Sequence, residues 1–275
     1  MTIFTRLPRR YARIGEHRVA YAVVGSGPAV LLLHGLGGTA DFWQPLLDQL
    51  GGRYALLCPD LLGFGFSDTP AVAYTLARHT AAMLAVVRDA GIAQFHGVVG
   101  HSVGGVVVVA LLASGLLTTR RLVLAATPYP SPRFPLRKEL VTSPWFGRLL
   151  DNRRLARIDD TVWRRAVWPL ASRLVRVPPY LRGGLAGFMD YSVDSFYGTA
   201  QELLFRADVG PLVARLPALP TLLLYGRDDQ TVPPIYGRRL QEALPAATLI
   251  EAEGGHYGVI HESRERLVHW LAGDG

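Results

Sequence analysis

The chain has 275 residues, of which 49% are hydrophobic and 19% charged, and its formal net charge is +7. This balance supplies a sizeable buried core and excludes an intrinsically disordered chain. The longest apolar run, residues 103–117, contains glycines and is shorter than a bilayer span, so we expect no membrane-spanning segment.

Cysteine content and the N-terminal residues both predict a cytoplasmic location. Cys58 is the one cysteine, so an internal disulfide is excluded and a reducing compartment is expected. The first ten residues include Arg6, Arg9 and Arg10, and they lack the apolar core of a signal peptide. We expect Cys58 to be a small buried hydrophobe that closes a strand.

The positive charge raises the question of a nucleic-acid partner. Residues 131–208 hold 13 Lys and Arg against 8 Asp and Glu, an excess that supplies five of the seven charges. These arginines are scattered among aromatic residues and form no continuous basic run. The pattern is typical of a solvated helix surface, so we expect no nucleic-acid partner.

Strands and helices alternate through the first half of the chain. An antiparallel hairpin with its turn at Gly15 comes first, and short apolar strands follow, as expected where both faces of a sheet are covered. The predicted strands are Arg9–Ile14, His17–Val24, Ala29–Leu33, Tyr54–Cys58, Phe95–Val99 and Arg121–Ala126. The predicted helices run from Thr39 to Leu50, from Thr75 to Ala90 and from the residue after Ser102 to Ser114.

The alternation stops at Pro128 and resumes after a stretch rich in Pro, Arg, Trp and Tyr, which predicts several short helices. The later strands are predicted at 221–225 and 248–251, and the later helices at 235–244 and 262–271. Strands that alternate with helices predict a doubly wound, mostly parallel α/β sheet. We therefore divide the chain into a core of residues 1–127 and 211–275 with an inserted helical cap of residues 128–210.

A nucleophile elbow is predicted at Ser102, which lies in a G-x-S-x-G pattern between two apolar runs. A strand that enters the serine and a helix that leaves it hold its hydroxyl above the sheet. The turn is so tight that the residues two before and two after the serine must be small. Gly100 and Gly104 occupy those two positions.

A base and an orienting acid are needed to activate a serine hydroxyl, and the later strands supply both. The loop after strand 221–225 contains Asp228 and Asp229, and the loop after strand 248–251 contains His256. These residues follow Ser102 in the chain order Ser, Asp, His. A serine, an aspartate and a histidine, each in a loop after a predicted strand, indicate a Ser-His-Asp site.

With these stretches in view, the chain resembles the α/β-hydrolase superfamily over nearly its whole length apart from the cap. The resemblance is carried by residues 33–38 (LHGLGG), residues 59–68 (PDLLGFGFSD), the elbow and the two loops. It implies a hydrolase with Ser102 as nucleophile and His256 as base. The acid implied by the family pattern G-x-x-D is Asp229, and Asp228 is the second candidate.

The resemblance also implies an oxyanion hole made by the backbone N–H groups of Leu36 and Val103, which would bind the negative oxygen formed during acyl transfer. His34 is expected to stabilise the loop that carries Leu36, which we call the oxyanion loop. His101 is expected to form a structural hydrogen bond. His261 is a weaker competitor of His256, because no Gly-Gly pair precedes it. Asp60 and Asp68 are expected to hold a loop.

The substrate is predicted only as a class. Aromatic residues of the cap suggest a small apolar or aromatic acyl compound, and the residues that we assign to the pocket are Trp145, Trp163, Trp168 and Tyr191. A carboxylic ester is the default substrate; a thioester, a lactone, a C–C bond or a cyclisation is the alternative. A ligand receptor on the same fold is a hypothesis from another class.

We expect neither a cofactor nor a metal. The glycines of residues 35–38 lack both the dinucleotide-binding spacing and a P-loop lysine, and no His, Cys or Asp cluster has metal-ligand spacing. The sequence leaves the oligomeric state open.

Overall fold

The structure is a computed structural model that describes residues 7–130, residue 154 and residues 191–273. Its centre is an eight-stranded sheet in the order β1-β2-β4-β3-β5-β6-β7-β8. The strands are β1 (Arg10–Ile14), β2 (His17–Val24), β3 (Ala29–Leu33), β4 (Ala55–Pro59), β5 (Gly97–His101), β6 (Leu122–Ala125), β7 (Thr221–Gly226) and β8 (Thr248–Ala252).

The sheet is mostly parallel, as the sequence predicts. Strand β2 pairs antiparallel with both β1 and β4, and the pairs from β4 through β3, β5, β6 and β7 to β8 are all parallel. In a parallel sheet all strands end at one edge, so the loops that follow them gather there. This places the loops after β3, β5, β7 and β8 at a common edge.

Helices cover both faces of the sheet. They are α1 (Gln44–Leu50), α2 (Leu76–Asp89), α3 (Val103–Ala113), α4 (Val193–Ala200), α5 (Gly210–Val213), α6 (Ile235–Ala243), α7 (Gly258–Glu262) and α8 (Arg264–Ala272). A short 3₁₀ helix, Ala40–Trp43, precedes α1, and a π-helix, Gln201–Arg206, continues α4. Thr75 caps α2 by accepting a hydrogen bond from the Arg78 N–H group.

Alternate residues of the central strands point into two separate cores. Leu31 and Leu33 of β3 pack in one core with α2 and α3, whereas Val30 and Leu32 pack in the other with α1 and α8. Because both faces are buried, these strands are apolar without interruption. Helix α3 is buried on all sides from Val103 to Leu112, so it forms the central support behind residue 102.

Most predicted boundaries lie within one residue of the observed ones, and three elements differ by more than that or in helix type. The strand before the elbow begins and ends two residues later than predicted, because the ladder with β6 continues to His101. The helix predicted after Thr39 does begin there, with Thr39 as its N-cap, but its first turn, Ala40–Trp43, is 3₁₀. The helix predicted at residues 262–271 is two helices, α7 and α8, which meet at Ser263.

The predicted cap, residues 128–210, lies largely outside the described residues, so the division of the chain into core and cap stays a prediction. Its described C-terminal part is helical and contacts the core. The Ser195 hydroxyl of α4 donates to the Gly63 carbonyl at 2.7 Å. Gly63 has a φ of +90°, and a Cβ there would lie 2.5 Å from the Cβ of Ser195, so glycine is needed for this contact.

Candidate active site

The turn between β5 and α3 holds Ser102 in a strained backbone conformation. Its φ is +52° and its ψ is −125°, a region that residues other than glycine rarely occupy. Small neighbours make the turn possible: a Cβ on Gly100 would lie 2.5 Å from the Cα of Gly105, and one on Gly104 would collide with the carbonyl oxygens of Leu33 and His34. Strain of this kind persists where surrounding structure fixes it, and it is common at functional sites.

The hydroxyl of Ser102 meets the imidazole of His256. The two residues are 154 positions apart, yet the Ser102 Oγ lies 3.1 Å from the His256 Nε2. Both side chains belong to buried residues that keep only a few per cent of their surface exposed. This distance allows a hydrogen bond between a hydroxyl and a base.

The other nitrogen of His256 contacts Asp229. The Nδ1–Oδ2 distance is 2.8 Å, and the Oδ1 of Asp229 accepts hydrogen bonds from the N–H groups of Thr231 and Val232, each at 2.8 Å. Both oxygens of this buried carboxylate are therefore satisfied, and the imidazole is oriented toward Ser102. Asp228, the second candidate, is exposed, so the geometry favours Asp229.

The loop after β3 lies directly against the elbow. A Cβ on Gly35 would lie 2.8 Å from the Cβ of Ser102, so only glycine permits this approach. His34 holds the loop from behind: its Nδ1–H donates to the Gly35 carbonyl at 2.7 Å, and its Nε2 accepts from the Leu61 N–H at 2.9 Å. Burial lowers the pKa of His34 to about 4, so the ring is neutral and can accept that bond.

The two amides that the family resemblance assigns to an oxyanion hole belong to residues next to the elbow contacts. Leu36 follows Gly35 in the braced loop, and Val103 is the first residue of α3. An N–H group in the first turn of a helix has no partner within that helix, so it points toward the space at the helix N-terminus. The oxyanion hole itself stays a prediction.

A buried charge cluster supports the same loop, as the sequence predicts for Asp60. The carboxylate of Asp60 accepts hydrogen bonds from the N–H groups of Ala40 and Phe66 at 2.6 and 2.9 Å. Arg9 lies between two carboxylates, 3.4 Å from Asp60 and 3.1 Å from Asp41. Burial raises the pKa of Asp60 and the guanidinium of Arg9 opposes that rise. The cluster ties the N-terminal segment to the start of the 3₁₀ helix.

The predicted pocket residues divide into two groups. Trp145, Trp163 and Trp168 lie outside the described residues. Tyr191 is described: it forms an isolated antiparallel bridge with Phe64, and its ring stacks on Phe196 with centroids 4.8 Å apart. It thus lies where the loop after β4 meets α4, and its assignment to a pocket stays a prediction.

Sequence reasoning missed two contributors to the site. Phe42 packs its ring 4.8 Å from the ring of His101, and Arg9 forms the buried ion pairs with Asp41 and Asp60. Phe42 gave no signal because its role depends on packing between distant loops. Arg9 had one usable signal, an arginine at the start of a predicted edge strand in a chain where Asp60 is expected to hold a loop.

Over the described part of the chain, no three His, Cys, Asp or Glu side chains are arranged to hold a metal ion. Cys58 is buried and forms no disulfide, and burial raises the pKa of its thiol. Residues 7–130 and 191–273 include no helix long and apolar enough to cross a bilayer.

Comparison with protein-family models gives a match to the alpha/beta hydrolase fold over residues 28–263. A curated relative from Pseudomonas savastanoi pv. phaseolicola, named "Putative carbamate hydrolase RutD", is 31% identical over 252 residues, which cover 87% of this chain and 90% of the relative.

Solved structures show the same fold. An esterase from Exiguobacterium antarcticum matches with a TM-score of 0.76 at 19% identity and covers 96% of this chain and 97% of its own. The enol-lactonase from Burkholderia xenovorans LB400 matches with a TM-score of 0.70 at 23% identity and covers 96% of this chain and 99% of its own. At these identities the likeness concerns the fold.

Proposed function

Because this chain belongs to the alpha/beta hydrolase fold family, we propose that it is a serine hydrolase that cleaves a carboxylic ester or a related acyl bond. The observation that carries the proposal is the line of contacts from Ser102 through His256 to Asp229, at 3.1 and 2.8 Å. This is the arrangement that activates a serine hydroxyl for attack on a carbonyl carbon.

The proposed reaction begins when the Ser102 oxygen attacks the carbonyl carbon of the substrate. His256 Nε2 takes the hydroxyl proton as the new C–O bond forms, and Asp229 stabilises the resulting imidazolium. The negative charge on the former carbonyl oxygen is stabilised by the N–H groups of Leu36 and Val103. The leaving group then departs with the proton from His256, which leaves an acyl group on Ser102.

Water completes the proposed cycle. His256 takes a proton from the water as its oxygen attacks the acyl carbon, and the same two amides stabilise the second tetrahedral oxyanion. Collapse of this species releases the carboxylic acid, and His256 returns the proton to Ser102. The site residues supply every proton transfer in this cycle.

The bond that is cleaved is proposed at the level of its class. Esters, lactones, thioesters and carbamates all present a carbonyl carbon with a leaving group, so the same machinery serves them. The relative named as a carbamate hydrolase favours including carbamates in any substrate panel. We further propose that an inserted cap of residues 128–210 shapes an apolar pocket and that the enzyme works in the cytoplasm, which the single buried cysteine supports.

Labelling with a fluorophosphonate probe tests the nucleophile. The wild-type protein should label at one site, and Ser102→Ala should abolish the signal. A panel of short-chain p-nitrophenyl esters, followed by thioesters, lactones and carbamates, then defines the substrate class. Ser102→Ala should lower turnover about 10⁴-fold or more, because the three residues act as a unit. A wild-type protein that neither labels nor turns over any of these compounds would instead support a binding role.

A further inference from the structure

His101 lies where three loops of the site meet, and we propose that it is a positioning residue that holds His256 within reach of Ser102. The proposal rests on the proposed function and deepens it. His101 immediately precedes Ser102 in the elbow. Its ring contacts Phe42, which lies in the 3₁₀ helix after the β3 loop, and it forms a hydrogen bond with the backbone of the loop that carries His256.

The central contact is a hydrogen bond from a side chain to a backbone group. The His101 Nε2 lies 2.8 Å from the carbonyl oxygen of His256. A carbonyl oxygen only accepts, so Nε2 carries the proton and donates. Burial lowers the pKa of His101 well below its usual value, with the neighbouring His256 as a second cause, so the ring is neutral and this one tautomer is fixed.

The loop that carries His256 contains two glycines, and the hydrogen bond from His101 restrains it. It leaves β8 through Gly254 and Gly255, and Gly254 has a φ of +98°. Two consecutive glycines leave the backbone free to adopt many conformations, so the loop by itself fixes its histidine poorly. The hydrogen bond from His101 restricts the backbone conformation at His256, whose position determines proton transfer with Ser102.

Ring packing fixes His101 in turn. Its ring centroid lies 4.8 Å from that of Phe42, 4.8 Å from that of His256 and 5.8 Å from that of Tyr257. A Cβ on Gly35 would lie 3.0 Å from the His101 Nδ1, so the oxyanion loop closes the remaining side. A displacement of about 1 Å at a reacting group is enough to lower turnover about 100-fold, so small shifts of this cluster matter.

Two substitutions of equal length separate positioning from packing. Gln places an amide N–H four bonds from Cα, the same number as the Nε2 of histidine, whereas Met has the same length and no donor. We expect His101→Met to slow fluorophosphonate labelling and to lower kcat about 10- to 100-fold with little change in KM, because His101 is buried and presents almost no surface to a substrate. His101→Gln should recover most of the rate.

His96, the residue immediately before β5, provides a matched control at the other end of the same strand. Its Nε2 lies 2.6 Å from the Leu271 carbonyl and its ring stacks on Tyr54, so it repeats both contact types roughly 16 Å from His101 along the strand direction. His96→Met should lower the melting temperature and leave the labelling rate unchanged. If His101→Met does not fold, His101→Asn replaces it, because an amide one bond shorter does not reach the carbonyl.

The outcomes separate the two proposals. Equal labelling rates for folded wild-type, His101→Met and His101→Gln proteins would overturn the positioning role while leaving the serine hydrolase intact. If the Met and Gln variants are slowed equally, His101 acts through packing alone. That result would also overturn the positioning role. A wild-type protein that is never labelled would defeat the proposed function itself.

Discussion

The carboxylate of Asp229 accepts two backbone hydrogen bonds on one oxygen and contacts His256 Nδ1 at 2.8 Å with the other, whereas its neighbour Asp228 is exposed. Two adjacent aspartates thus occupy opposite environments. The course of the loop after β7 determines which of them can orient the imidazole of His256. Substituting each aspartate in turn therefore tests which one is the acid of the site.

Asp229→Asn should lower kcat about 10³- to 10⁴-fold, because an amide in place of the carboxylate favours the wrong tautomer of His256. Asp228→Asn removes the same charge one residue away and should leave kcat within about twofold, as is usual for a surface change. Hydrolysis of a p-nitrophenyl ester measures both. A large loss in the Asp228 variant with an active Asp229 variant would reverse the assignment.

Gly104→Ala tests the packing of the elbow. In an exposed helix this change stabilises by about 0.5–1 kcal/mol, since glycine is the poorer helix former. Here the added methyl collides with the carbonyl oxygens of Leu33 and His34, so we expect destabilisation of about 1–3 kcal/mol in urea unfolding.

Gly52→Ala is the control for that measurement. A Cβ at Gly52 meets no heavy atom within 4 Å, so the change should alter stability by less than about 0.5 kcal/mol. A Gly104→Ala protein as stable as wild type would show that the β3 backbone yields to the methyl group.

Acid should destabilise the fold steeply. Burial lowers the pKa of His34 to about 4 and that of His79 to about 3, and it also lowers the pKa of His101. A depressed histidine pKa means that the unfolded chain binds protons first, so the stability is fully present above about pH 6.5 and falls as the pH decreases below it. Three such groups give a slope of about 4 kcal/mol per pH unit between roughly pH 6 and pH 4.5.

Urea unfolding at several pH values between about 4.5 and 8 measures this slope. His79→Leu should reduce it by about one proton, since one titrating group is removed. Thr199→Val is the control: it removes the 3.0 Å contact of Thr199 with His79 Nε2 but keeps the histidine, so it should lower stability without changing the slope. A slope that is independent of residue 79 would contradict the prediction.

The buried ion pairs of Arg9 should matter more for stability than any exposed pair. Arg9→Met leaves Asp41 and Asp60 buried without their cation, so we expect a loss of about 3–5 kcal/mol. Arg18→Met breaks the exposed pair with Asp68 and should cost about 1 kcal/mol or less. Chemical denaturation compares the two variants, and similar costs would contradict the role given to burial.

The sequence by itself determined the order of the elements and the family. Apolar runs such as Ala29–Leu33 can be recognised because a strand buried on both faces carries no polar residue, and the small residues around Ser102 can be recognised because the turn tolerates no others. Chain order and local spacing therefore sufficed for the fold class and for the candidate Ser, Asp and His.

Only the tertiary structure decided which atoms meet. Which of Asp228 and Asp229 is buried depends on the path of the loop after β7, and the bond from His101 to the carbonyl of His256 joins residues 155 positions apart. The ion pairs of Arg9 likewise join an edge segment to two distant loops. Such contacts leave no periodic trace in the chain, because they arise from the packing of separate elements and not from the local preferences of either one.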